Sequence, residues 1–367
     1  MWSKVPDNPY LLLTPGPLST SKKVRAAMLR DWCTWDDDYN IDVVEDIRRR
    51  LVRYATSSPD DYTAVLMQGS GSFGVEACLG TAVPESGKLL LIANGAYGMR
   101  MVRFMETMGR SFRLLSFDET EQADPEAVKG VLNEDTAITH VAVVFCETTT
   151  GILNPVERIC SLAKKMGKAT IVDAMSAFGG IPMDMEKMGI DYMISSSNKC
   201  VQGVPGFSFV IARKSELEKC EGNAHSYSLD LYDQWKTMDG KGKWRFTSPT
   251  HTVRAFQQAL NELDEEGGIE KRYGRYSENQ RILSEGMDAL GYRPLLPQSV
   301  QSPIITAFMY PYEDFDFGKF YRAMKSRGFV LYPGKVSKAE TFRIGNIGEI
   351  YPEDIKRLLK TIEEVKI

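Results

Sequence analysis

Apolar positions fall into short continuous runs separated by longer stretches of helical period. Residues 62–67, 89–93, 112–116, 138–145, 170–172, 192–195 and 207–211 form the short runs, most of them apolar at consecutive positions. Strands of that kind are buried on both faces. Residues 72–82, 99–108, 125–132 and 155–166 repeat apolar positions at the three- and four-residue spacing of a helix with one face on a core. The alternation predicts an α/β fold with a mostly parallel central sheet flanked by helices. Two further helices are expected earlier, over 22–29 and 42–55.

The pattern changes near residues 247–252. Long helical stretches at 253–263 and 269–290 come next. A strand at 304–309, a helix at 317–327, strands at 329–331 and 341–344, and a helix at 351–365 complete the chain. This is a small α+β unit of a size that sustains its own core. The first residues, with Thr14-Pro15-Gly16-Pro17, read as an extended arm. The expected organisation is an arm over 1–20, a large domain over 21–265 and a small C-terminal domain over 266–367.

Composition narrows the class. Of 367 residues, 43% are hydrophobic and 26% charged, which predicts a packed globular protein. The net charge is -4 and no block is strongly basic, so nucleic acid is not an expected partner. The apolar run at Tyr10-Leu11-Leu12-Leu13 is too short for a signal segment or a membrane span. Six scattered cysteines with no C-x-x-C pair suit a reducing compartment, and three histidines argue against a His-rich metal site. The expectation is a cytoplasmic enzyme without a metal.

Three segments hold candidate chemistry. In Gln68-Gly69-Ser70-Gly71-Ser72-Phe73-Gly74 the glycines fit G-x-G-x-x-G, between an expected strand and helix. A dinucleotide site also needs an acid at the end of the next strand, where this chain has Asn94. An anion cradle of backbone N–H groups and serine hydroxyls remains, or simply a Gly-rich turn. In Thr170-Ile171-Val172-Asp173, an apolar strand delivers Asp173 where parallel sheets place ligands, although a turn or cap aspartate reads the same way. In Ser197-Asn198-Lys199-Cys200, followed by Gly203-Val204-Pro205-Gly206, a lysine is held in a tight loop. Desolvation there lowers a lysine pKa and suits Schiff-base chemistry, whereas most lysines are surface charges.

Together the three have one chemical meaning: a phosphate cradle, an acid for a ring nitrogen and an amine for an aldehyde. Their order resembles that of fold-type I pyridoxal-phosphate enzymes, in the class V branch with alanine–glyoxylate and serine–pyruvate aminotransferases. The resemblance runs from Thr14-Pro15-Gly16-Pro17 to Arg343-Ile344-Gly345. Asp31-Trp32-Cys33-Thr34-Trp35-Asp36-Asp37-Asp38-Tyr39, Glu147-Thr148-Thr149-Thr150-Gly151 and Phe246-Thr247-Ser248-Pro249-Thr250-His251-Thr252 are similar to the aminophosphonate-using group of that branch.

The resemblance implies pyridoxal 5'-phosphate as cofactor. It implies amine transfer from 2-aminoethylphosphonate to pyruvate in phosphonate degradation, giving phosphonoacetaldehyde and L-alanine by a two-half, ping-pong scheme. Lys199 would bind the cofactor and shuttle a proton, and Asp173 would pair with the ring nitrogen. Ser70, Gly71 and Ser72 would hold the phosphate, Tyr97 would stack on the ring, and Thr149 would donate to the ring hydroxyl. Thr247 and Thr250 would reach the phosphate of a second subunit, implying a homodimer with shared sites. Arg343 would grip the substrate anion, helped by the arm at Thr14 and Gly16. Arg100, Lys243 and Arg245 are candidates by position for a second cationic anchor, and the Asp36-Asp37-Asp38 carboxylates are expected to cap a helix or meet cations elsewhere. Alternatives are an alanine–glyoxylate or serine–pyruvate aminotransferase and, from another class, an NAD-dependent oxidoreductase built on Gly69, Gly71 and Gly74.

Overall fold

The computed structural model describes residues 4–336 and 339–365. In chain order the strands begin with β1 (Leu11–Leu12), β2 (Tyr62–Gln68), β3 (Leu89–Ala93), β4 (Phe112–Ser116) and β5 (His140–Val144). A small hairpin follows, β6 (Cys146–Glu147) and β7 (Ile152–Leu153), then β8 (Ala169–Asp173), β9 (Tyr192–Ser196) and β10 (Phe207–Arg213). The C-terminal part holds β11 (Ile305–Met309), β12 (Phe329–Val330), β13 (Tyr332–Pro333) and β14 (Thr341–Gly345).

Seven strands form the central sheet in the order β2-β10-β9-β8-β5-β3-β4. β10 alone runs against its neighbours, and every other pairing is parallel. The C-terminal ends of β2, β3, β5, β8 and β9 therefore open on one edge of the sheet. Both faces are covered. Val65, Leu91, Ala142, Ile171 and Ile194 pack into one core, and their chain neighbours Leu66, Ile92, Val143, Val172 and Met193 pack into another. Alternate residues thus serve opposite faces, which is why the strands are continuously apolar. Each fully buried side chain of this size contributes about 1.5–3 kcal/mol.

Helices start where strands end. Gly71–Ala82 follows β2, and Ala96–Thr107 follows β3. The first lies close on the sheet, since a Cβ on Gly74 would stand 2.7 Å from the Ser208 hydroxyl.

The C-terminal part has its own sheet, β11-β14-β13, and its own core, in which Phe308, Phe320, Phe342 and Ile344 are buried. The expected arm is a strand of this part. β1 pairs in parallel with β12, and Leu13 is buried in the same core. Gly345 N donates to Leu13 O at 3.0 Å, which carries the arm along β14.

Three elements depart locally from the expectation. The helix expected over 42–55 runs as a π-helix over Asn40–Glu45 before the α-helix Asp46–Ala55. The strand expected over 329–331 is split, since β12 pairs with the arm and β13 with β14. The helix Leu231–Met238 was not expected from periodicity; it is tied to the sheet by Gln234 Nε2, which donates to Leu66 O at 2.9 Å. All six cysteines are free thiols. Among the described residues no helix is long and apolar enough to cross a membrane.

Candidate active site

At the open edge of the sheet lies a cleft of about 260 Å³. Its walls include Ser70, Gly71 and Ser72 after β2, Tyr97 and Arg100 after β3, Asp173 at the end of β8, and Lys199 after β9. The three segments singled out in the sequence therefore meet.

Gly69, at φ +106, turns the chain out of β2. The N–H groups of Phe73 and Gly74 bond back to Ser70 O, at 2.9 and 3.4 Å. Those of Gly71 and Ser72 have no protein acceptor among the described residues, as expected of a first helical turn. The Ser70 hydroxyl does not cap its own helix. A Cβ on Gly71 would overlap the Met175 sulfur, so a larger residue there would have to displace that side chain from the cleft wall. Arg100 Nη1 donates to the Ser72 hydroxyl at 3.2 Å, and its guanidinium lies 4.8 Å from the Tyr97 ring centroid. The result is an anion cup with an unpaired cation at its wall.

Asp173 is 5% exposed, and its Oδ1 accepts the Met175 N–H at 2.9 Å. No cation stands within 4.0 Å of the carboxylate among the described residues. Burial pushes its pKa up, while the Met175 N–H, Lys199 and Arg100 pull it down. A buried carboxylate with so few partners needs a further donor from a ligand.

Lys199 is held by a loop fixed on two sides. Ser197 N donates to Phe207 O at 3.1 Å, and Gln202 N to Lys199 O at 2.7 Å. Gln202 has φ +71, the one non-glycine residue in the left-handed region among those described. Its side chain donates to Tyr276 Oη at 2.7 Å and to Gly348 O at 2.9 Å. Arg272 Nη1 donates to Cys200 O at 3.0 Å. Lys199 Nζ itself donates to Pro15 O at 3.0 Å. Burial lowers the Lys199 pKa, opposed by Cys200 and Asp173, so its neutral, nucleophilic form is reached at lower pH than for a solvated lysine.

Behind Tyr97 lies a carboxylate whose role the sequence reading missed. Glu147 accepts the N–H groups of Tyr97 and Gly98 at 3.2 Å and the Thr149 hydroxyl at 3.1 Å. It thereby fixes the N-terminus of the Tyr97 helix. Burial nevertheless pushes its pKa up to about 7. Its only signal in the sequence is an acid among three threonines.

Arg343 sits on β14 and is buried. Nε donates to Pro333 O at 2.9 Å and Nη1 to Thr148 O at 2.7 Å. Nη2 has no protein acceptor among the described residues. Burial lowers its pKa, opposed by Tyr97, Tyr332 and Glu147.

Arg343 is not among the walls of this cleft, and several other residues marked in the sequence have other partners or lie outside it. The Thr149 hydroxyl is taken by Glu147, and that of Thr14 donates to Pro17 O. Gly16 abuts Lys199. Thr247 is exposed, Thr250 begins the helix Thr250–Glu266, and neither lines this chain's cleft. Of the three cations proposed by position, only Arg100 reaches the cleft. Lys243 lies over Trp35 at 5.0 Å, and Arg245 over Tyr227 at 4.8 Å. Asp38 pairs with Arg30 at 3.1 Å, away from the cleft.

A family model described as aminotransferase class-V matches residues 40–325. The chain belongs to the class-V aminotransferases. It is 58% identical over 358 residues to the 2-aminoethylphosphonate–pyruvate transaminase of Phocaeicola vulgatus, covering 97% of this chain and 99% of that one. It is 61% identical over 361 residues to the transaminase of the same name from Syntrophobacter fumaroxidans, covering 98% and 97%. Among solved structures, alanine–glyoxylate aminotransferase from Nostoc sp. superposes with a TM-score of 0.88 at 23% identity, covering 98% of this chain and 96% of that one. Pyridoxamine–pyruvate aminotransferase from Mesorhizobium loti gives 0.87 at 23% identity, covering 98% and 92%. These two show a shared fold. In this class-V aminotransferase the end of β3 does not offer the acid a dinucleotide site needs. Asn94 is buried there, with its amide on Glu121 O and Asn154 Oδ1, both at 2.8 Å.

Proposed function

We propose that the chain transfers the amine of 2-aminoethylphosphonate to pyruvate, yielding phosphonoacetaldehyde and L-alanine, with pyridoxal 5'-phosphate as cofactor. The observation that carries this is identity of 58–61% over nearly the whole chain to relatives named for that reaction. The donor set of the cleft fits the cofactor. Free N–H groups at Gly71 and Ser72 suit a phosphate, and the buried, under-bonded Asp173 suits a protonated ring nitrogen. The Lys199 amine, with its lowered pKa, suits an aldehyde.

When bound, the cofactor supplies an aldehyde that captures amines and a ring that takes up carbanion charge. Lys199 then acts as general base and acid at the amine-bearing carbon of the substrate. Asp173 would hold the proton on the ring nitrogen. Ser70, Gly71 and Ser72 would hold the phosphate, with Arg100 as its counter-charge. Tyr97 would stack on the ring, and Glu147 fixes the helix that carries it. Thr149 would have to exchange its bond to Glu147 for one to the ring hydroxyl. Thr247 and Thr250 serve the site of a second copy, in a homodimer. Arg343, with help from the arm at Thr14 and Gly16, would bind phosphonate in one half-reaction and carboxylate in the other. One site thus serves both substrates in turn, as a two-step exchange requires.

The test is product analysis with purified, cofactor-loaded protein. Equal amounts of phosphonoacetaldehyde and alanine from 2-aminoethylphosphonate and pyruvate support the reading. Turnover only with serine or alanine as donor would replace the substrate and keep the enzyme class.

A further inference from the structure

We propose that Lys335 is the second cation of the donor-anion site, making it doubly positive and so matched to a phosphonate where a carboxylate needs Arg343 alone. The inference rests on the aminophosphonate reading above and assigns the residue that distinguishes the two substrates.

Lys335 follows β13, on the short connection to β14. Tyr332 stands directly opposite Arg343 in that pairing, and Pro333 O accepts from Arg343 Nε at 2.9 Å. The backbone at Gly334 runs so close to Thr341 that a Cβ there would overlap its carbonyl oxygen, which sets the chain against β14 just before Lys335. The Lys335 side chain is exposed, and its Nζ lies 5.3 Å from the ring centroid of Tyr97. Tyr97 is a wall of the cleft, and it is also a group that acts on Arg343. Lys335 therefore stands at the Tyr97 ring, while Arg343 lies on the neighbouring strand opposite Tyr332, three residues before Lys335.

Charge balance assigns their roles. Arg100 and Lys335 lie over the Tyr97 ring and Arg343 over Tyr332; none has a carboxylate within 4.0 Å among the described residues, although Glu147 acts on Arg343 from farther off. Two anions must enter, the cofactor phosphate and the substrate anion. Arg100 is bonded to Ser72 in the phosphate cup. Arg343 and Lys335 remain for the substrate. A carboxylate has two oxygens and one charge, and the planar Arg343 fork satisfies it. A phosphonate is tetrahedral, with a third oxygen and up to two charges. A flexible ammonium with three donors fits that oxygen where a second rigid fork is not required.

The test separates the half-reactions by rapid mixing of the cofactor-loaded enzyme. K335Q is expected to raise the 2-aminoethylphosphonate concentration for half-maximal rate about tenfold, equivalent to about 1.4 kcal/mol of lost binding. The half-reaction with pyruvate should stay within about twofold of wild type by the same scale. K335R, keeping the charge, should recover most of the loss. Equal loss in both half-reactions, no loss in either, or loss in K335R as deep as in K335Q would each overturn the assignment. If wild type itself ignores 2-aminoethylphosphonate, the functional reading falls. If wild type reacts and K335Q matches it, only the Lys335 assignment falls.

Discussion

The amine of Lys199 donates to the carbonyl of Pro15 at 3.0 Å, which joins the loop after β9 to the N-terminal arm. The arm is itself a strand of the C-terminal part, through β1 and β12. Lys199 is thus placed by both halves of the fold. The adjoining Gly16 tests this. It has φ +126, and a Cβ there would lie 2.8 Å from Lys199 Cδ. Gly16→Ala should destabilise the fold by about 1–3 kcal/mol and lower kcat/KM at least tenfold, by order of magnitude. Full activity in a folded variant would show that the arm does not position Lys199.

Lys199→Ala should bind the cofactor in its cup yet show no visible band of the attached form. Its turnover should fall by about 10²–10⁴-fold or more, the usual range for a lost acid–base group. Steady-state rates and absorbance of the reconstituted variant measure both effects. Residual turnover within tenfold of wild type would move the chemistry to another residue.

Asp173→Asn keeps the shape of the side chain and can still accept the Met175 N–H. The charge opposite the ring nitrogen is lost. A fall in kcat of about 10²–10⁴-fold with little change in melting temperature is expected. A large loss of stability with normal kcat per folded molecule would make Asp173 a structural residue.

Glu147 makes a stability prediction with a definite sign. Its pKa rises from 4.5 to about 7 on folding, so between these values the folded chain holds a proton that the unfolded chain has released. Unfolding free energy therefore falls with rising pH across that window, by about 3 kcal/mol from this group. Glu147→Gln should remove most of that slope in denaturant titrations at pH 5 and pH 8. An unchanged slope would place the origin elsewhere.

The main sheet was legible because parallel strands buried on both faces leave long apolar runs, as at 89–93 and 192–195. The meeting of Ser70, Asp173 and Lys199 was legible too, since parallel strands deliver their following loops to one edge. The hairpin of β6 and β7 was not. Its turn, Thr148-Thr149-Thr150, is polar yet buried, and the bonds that satisfy it come from distant residues such as Arg343. Lys335 was missed for a related reason. Nothing near it in sequence points to Tyr97, and only the folded chain sets its amine 5.3 Å from that ring. Lys243 and Arg245 looked equally suitable by position, but aromatic surfaces away from the cleft hold them.

The most direct test of the whole account is the visible absorbance of the cofactor-loaded protein on adding 2-aminoethylphosphonate without pyruvate. The account predicts a yellow band that bleaches with the donor alone and returns when pyruvate is added. A band that ignores the donor but bleaches with serine or alanine would contradict the substrate, and a protein that cannot be loaded with pyridoxal 5'-phosphate would contradict the mechanism.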